Sequence, residues 1–167
     1  MREKNSLSHL VALHLIAILF VISNVSDIRI AGLSSLIPLF DLMMVFYFTV
    51  FRNIFAVWFI FLLGIWNDAL NGNPIGLTAI CYILLVKFFL LANSKMLIKE
   101  EFRQIWQQFV VFCFLFLLMK WMLLSIFNGA FYSVTTPFIQ LVLSSSFYVL
   151  MHKFFNFLDE KLLKDSL

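Results

Sequence analysis

Apolar residues run along this chain in blocks close to twenty long, divided by short polar breaks. A helix lying on a soluble core would instead show one apolar stripe at a period of three to four. Six blocks stand out, at about 7–26, 33–51, 53–67, 74–92, 105–127 and 134–155. A helix needs roughly 20 mostly apolar residues to cross the hydrocarbon of a bilayer, so the pattern predicts about six transmembrane helices. The third block is the shortest. Arg52 and Asn53 part it from the aromatic run Phe46 to Phe51, and two polar residues flanked by aromatics read as an interfacial turn. The first block begins like a signal peptide, with Arg2 and Lys4 ahead of an apolar core. Its apolar run is long and five blocks follow, which favours a retained first helix.

Composition agrees. Of the 167 residues, 63% are hydrophobic and 13% charged, against about 25% charged in a soluble domain. There are too few polar side chains to build a water-facing surface. The expectation is an all-α integral membrane protein in which residues 1–167 form a single polytopic membrane domain.

Charge sets the expected orientation. With the helices threaded in order, nine of the lysines and arginines fall on the N-terminal side: Arg2, Lys4, Arg52, Lys95, Lys99, Arg103, Lys153, Lys161 and Lys164. Only Arg29 falls opposite. This positive-inside bias places both termini in the cytoplasm. The net charge of +3 suits anionic headgroups on the cytoplasmic leaflet and calls for no nucleic acid. The link from Asn93 to Gln108 and the tail from Asp159 to Lys164 are the candidate contacts for cytoplasmic partners or for headgroups.

Little in the chain points to catalysis. Cys81 and Cys113 lie inside apolar blocks, where a thiol behaves as a small hydrophobe. His9, His14 and His152 read as interfacial residues, and their spacing matches no metal site. An enzyme acting on lipid-linked substrates would cluster acids, histidines or arginines at one interface. The non-cytoplasmic side offers only Asp27, Arg29 and Asp68. Neither a catalytic residue nor a cofactor is assigned.

Three charges fall within blocks and are costly in lipid. Asp41 lies about 12 Å into the second, Lys87 about 16 Å beyond Gly76 in the fourth, and Lys120 about 10 Å from the far end of the fifth, at 1.5 Å per residue. Their similar depths predict that Asp41 pairs with Lys87 or Lys120. Otherwise the lysines snorkel to the two interfaces.

One segment departs from the apolar monotony, Gly64 to Thr78. Gly64, Asp68 and Gly72 are four apart and share a helical face, where glycine allows a neighbouring helix close. Asn71, Gly72, Asn73 and Pro74 predict a helix end. Pro74 is expected as a first-turn residue of the next helix, with Asp68 reaching forward to cap its free N–H groups. Read from physics alone, this is a helical hairpin with a polar tip.

Gly64, Asp68, Gly72, Pro74, Ile75 and Gly76, followed by Thr78 and Ala79, resemble the signature of the MreD family of rod shape-determining proteins. Pro38 and the aromatic run from Tyr47 to Arg52 resemble the stretch that precedes it. Asn53 stands where relatives often carry proline. The specific likeness covers about 36–86; the rest fits in hydropathy. The resemblance implies a non-enzymatic subunit of the cell-wall elongation machinery in the bacterial inner membrane. Its partners would be MreC and, through the complex, MreB, RodA and a penicillin-binding transpeptidase. The family is also similar in fold to the S component of energy-coupling-factor transporters. That raises an alternative function, a substrate-binding membrane subunit for a vitamin-type small molecule.

Overall fold

The computed structural model describes residues 2–25, 38–93, 101–131 and 133–162. Helices make up nearly all of them, and no strand occurs among the described residues. In chain order they are α1 (Arg2–Val25), α2 (Phe40–Phe51), α3 (Val57–Asn71), α4 (Leu77–Asn93), α5 (Phe102–Asn128) and α6 (Thr135–Leu162). Asp27, Arg29, Lys95, Lys99 and Lys164 lie outside the described residues. By length and composition α5 and α6 are apolar enough to cross a membrane; α2, α3, α4 and the Val11–Ser23 part of α1 are shorter apolar helices.

The helix boundaries depart from the hydrophobic blocks where backbone geometry intervenes. α2 starts at Phe40, after an irregular Pro38 and Leu39. α3 starts at Val57 instead of residue 53, because Asn53 takes φ 52° and breaks the helical path. α6 continues to Leu162, about two turns past the apolar block, through a stretch carrying Asn156, Asp159, Glu160 and Lys161.

α2 is the shortest helix and the most enclosed. Every residue from Asp41 to Val50 is buried, and α1, α4, α5 and α6 all pack around it. Its first half, Phe40–Val45, is α-helical; Phe46–Phe51 widens into a π-helix. There Arg52 N–H reaches back to Tyr47 C=O at 3.0 Å, an i to i+5 bond. The wider turn fans three consecutive aromatics into the surrounding helices. Phe46 meets Phe109, Phe112 and Tyr148; Tyr47 meets His152 and Phe155; Phe48 meets Phe55 and Phe155.

The outside of the bundle is as apolar as its inside. On α4 the exposed row Ile80, Leu84, Phe88 and Leu91 backs onto the buried row Ala79, Tyr82, Val86 and Phe89. Exposed Leu15, Leu19, Trp58, Leu62, Phe114, Leu118, Phe138 and Leu150 extend that surface over the other helices. Water would penalise such an exterior; hydrocarbon does not.

Among the described residues, α3 and α4 share the most extensive helix–helix contact. Gly64 makes this approach possible, because the space where a side chain would begin is filled by the backbone of Ala79.

Candidate functional site

The α3–α4 hairpin is built from the end of one helix and the start of the next. α3 stops because Gly72 turns left-handed, at φ 65°. The N–H groups of Gly72 and Asn73 then fold back onto the Asp68 carbonyl, Asn73 at 3.0 Å. This satisfies a carbonyl that the helix would otherwise leave open. Pro74 sits within the turn, its carbonyl accepting from Leu77 N–H at 3.1 Å, and α4 begins at Leu77. The expectation that Pro74 opens α4 is thus corrected. Gly76, at φ 96°, interrupts the helical path between the two.

Asp68 is fully buried beneath this turn. Its Oδ2 accepts the N–H of Gly76 at 3.0 Å and of Thr78 at 2.8 Å. A carboxylate here satisfies two orphan donors at the start of α4 and meets the positive end of the helix dipole. Asp68 Oδ1 and Thr78 Oγ1 are buried close by without a hydrogen-bond partner.

Directly behind the cap lies a second polar group. Asp41, in the first turn of α2, is 4% exposed. Its Oδ2 accepts from Asn67 Nδ2 at 2.6 Å and from the Tyr82 hydroxyl at 2.6 Å. Asn71 Nδ2 in turn donates to Asn67 Oδ1 at 3.0 Å, which fixes the orientation of the Asn67 amide. Tyr82 is held from its other side by stacking on Phe116, with centroids 5.2 Å apart. One carboxylate oxygen therefore ties α2, α3 and α4 together.

This corrects the expected pairing of Asp41 with a lysine. Lys87 lies on the exposed face of α4, and the Lys120 ammonium sits 5.8 Å from the Phe116 ring centroid. Neutral donors on adjacent helices hold Asp41 Oδ2; Lys87 turns outward, while Lys120 is half-buried one turn beyond Phe116. For Lys87 the depth argument failed because equal depth says nothing about which way a helix face turns.

The opposite end of α2 carries a further polar constellation. Arg52 forms an ion pair with Asp159 of α6, and Tyr47 donates its hydroxyl to Asn156 Oδ1 at 2.5 Å. His152 is 6% exposed, packed among Tyr47, Phe51, Phe102 and Tyr148. It is a core residue, contrary to its reading as an interfacial one. His14 also packs inward, its ring centroid 4.2 Å from that of Phe59.

The structure thus joins Gly64, Asp68, Gly72, Pro74 and Gly76 in one hairpin, puts Asp41 beside it, turns Lys87 outward and sets Lys120 over the Phe116 ring. Asn67, Tyr82 and Asn156 escaped the sequence reading, which took Asp159 only as part of a tail meeting cytoplasmic partners or headgroups. Thr78 and Tyr82 are four apart, so both polar groups share the face of α4 that meets Asp68 and Asp41; that spacing was the available signal. Chemically the constellation locks helices. Asp41 Oδ2 and Asp68 Oδ2 are engaged by side-chain and backbone donors, and no group of three His, Cys, Asp or Glu able to hold a metal occurs among the described residues.

No curated protein and no solved structure matches the chain. The family model described as rod shape-determining protein MreD matches residues 2–158. That match takes in the hairpin, the α2 core and most of α6, and by it the chain belongs to the MreD family of rod shape-determining membrane proteins.

Proposed function

We propose that this protein is a non-enzymatic, multi-pass subunit of the cell-wall elongation machinery in the bacterial inner membrane. Both termini face the cytoplasm, and all six helices cross the bilayer as one membrane domain. It works by holding MreC within the membrane and, through that complex, MreB, RodA and a penicillin-binding transpeptidase. The observation that carries this reading is the family match over residues 2–158. The cross-linked core supports it: one Asp41 oxygen holds three helices and one Asp68 oxygen holds a turn. A docking platform needs a fixed shape more than it needs reactive groups. The Gly64, Asp68, Gly72, Pro74 and Gly76 hairpin is proposed to set that shape.

Depletion in a rod-shaped host tests the reading, together with co-purification of MreC from solubilised membranes. Rounded cells and recovery of MreC with the tagged chain are the expected results. Normal cell shape combined with a loss of vitamin uptake would reject it in favour of a transporter subunit.

A further inference from the structure

The helices that surround α2 differ widely in length. α1, α3, α4, α5 and α6 form a ring, each packed on the next and α6 on α1, so α3 lies across the ring from α5 and α6. α5 has 27 residues and α6 has 28, about 40 Å each at 1.5 Å per residue. α3 has 15, about 22 Å by the same rise. Its flanks add little. Ile54 and Phe55 N–H both return to Phe48 C=O, at 2.7 and 3.2 Å, so the chain entering α3 doubles back beside the end of α2. At the other end the Gly72 and Asn73 N–H groups fold back onto Asp68. Between these turns α3 points Val57, Trp58, Phe61, Leu62, Trp66 and Leu70 outward, all of them exposed. This strip covers about 20 Å of helix, where the hydrocarbon of an ordinary bilayer is about 30 Å thick. Exposed apolar residues on α6 reach from Phe138 to Phe157, about 29 Å.

Two other features follow the same difference. Indoles favour the level of the headgroups. Trp58 and Trp66 of α3 stand about 12 Å apart along their helix, and Trp106 and Trp121 of α5 about 22 Å apart along theirs. The antiparallel α3 and α4 touch at Gly64 and Ala79. Counted equally along both helices from that contact, exposed Lys87 is level with Ala56, at the start of α3. A bilayer drawn in to the ends of α3 puts its ammonium among headgroups.

We infer that the protein thins the bilayer beside α3 and selects short-chained lipids there, while its α5–α6 side takes lipids of ordinary length. Full-length acyl chains would overrun the strip and meet the polar turns at Asn53 and Asn71; local thinning removes that mismatch. Lipid is the occupant that suits this face. Its outward side chains are branched or aromatic, and Gly64, the residue that admits a close helix, is already covered by α4. The inference rests on the proposed reading that all six helices cross the bilayer, and is independent of the wall-elongation role.

The test uses the purified full chain in dioleoyl phosphatidylcholine vesicles. Brominated phosphatidylcholines made from the dimyristoleoyl, dioleoyl or dierucoyl lipid are added in turn, since bromine quenches a tryptophan that the lipid touches. The parent reports all four tryptophans. The double variant Trp58→Phe with Trp66→Phe, changed only at exposed positions, reports Trp106 and Trp121 alone; the difference between the two isolates α3. On α3 the dimyristoleoyl-derived lipid should bind about threefold more strongly than the dierucoyl-derived one, and on α5 no such preference should appear. A ratio no higher on α3 than on α5 overturns the inference and leaves six crossing helices intact. Absence of quenching at Trp58 and Trp66 by every lipid also overturns it, because a second copy then covers the face or α3 lies outside the hydrocarbon. Neither readout involves MreC or cell shape, so this inference and the wall-elongation role fail separately.

Discussion

Gly64 and Ala79 meet backbone to backbone: a Cβ built on Gly64 would stand 2.4 Å from the Ala79 Cα and 2.6 Å from its nitrogen. No rotamer change relieves such a contact, since the obstructing atoms are main chain. Gly64→Ala must therefore push α3 away from α4, at an overpacking cost of about 1–3 kcal/mol. Gly72 contrasts with it. A Cβ there meets nothing within 4 Å, and only its φ of 65° is restrictive. Gly72→Asn, which tolerates that conformation, should melt close to the parent in micelles. Equal losses for the two variants would contradict the close approach of the helices.

Asp68 should behave as a cap rather than as a reactive acid. Asp68→Ala strips the acceptor from two N–H groups, Gly76 and Thr78, and should destabilise the hairpin by about 1–3 kcal/mol. Asp68→Asn keeps an oxygen at the same place and should recover at least half of that loss. Amide hydrogen exchange reads the effect locally, with faster exchange at Gly76 and Thr78 in the alanine variant. Unchanged protection at both amides would sink the capping role.

The Asp41 cluster separates two kinds of buried-charge arrangement. Removing Asp41 leaves both the Tyr82 hydroxyl and the Asn67 amide without their acceptor, at a cost of about 1–3 kcal/mol for each buried donor. Asp41→Ala combined with Tyr82→Phe should then cost less than the sum of the single changes. Lys87→Gln, at an exposed position, should stay within about 0.5 kcal/mol of the parent, and Lys120→Gln should cost clearly less than Asp41→Ala. If either lysine variant matched the loss in Asp41→Ala, an ion pair would be the better account.

The Arg52–Asp159 pair joins the π-helical end of α2 to the last turns of α6, with Asp159 largely buried and Arg52 about one-third exposed. Arg52→Ala strands a buried carboxylate, so it should destabilise more than the double change Arg52→Ala with Asp159→Ala. A double-mutant cycle on melting midpoints measures the coupling, expected at about 0.5–3 kcal/mol. Arg52→Lys should recover only part of it, because an ammonium lacks the planar fork of donors. A coupling of zero would mean that the pair adds nothing to the α2–α6 contact.

The sequence by itself determined that the chain is helical, apolar throughout and punctuated at Arg52–Asn53 and at Asn71–Pro74. Long apolar runs and left-handed or proline-bearing breaks are local properties, read directly from neighbouring residues. The capping reach of Asp68 was legible for the same reason, since its partners lie within ten positions along the chain. Only the tertiary structure decided that the shortest helix is the central one and that Asp41 takes its donors from Asn67 and Tyr82 in preference to a lysine. It also decided that His152 is buried in an aromatic cluster. These are questions of which face of each helix turns inward. When lipid lets both faces be apolar, hydrophobic periodicity no longer marks the buried side. Asp41 and Tyr82 are 41 residues apart, and nothing local to either predicts their meeting.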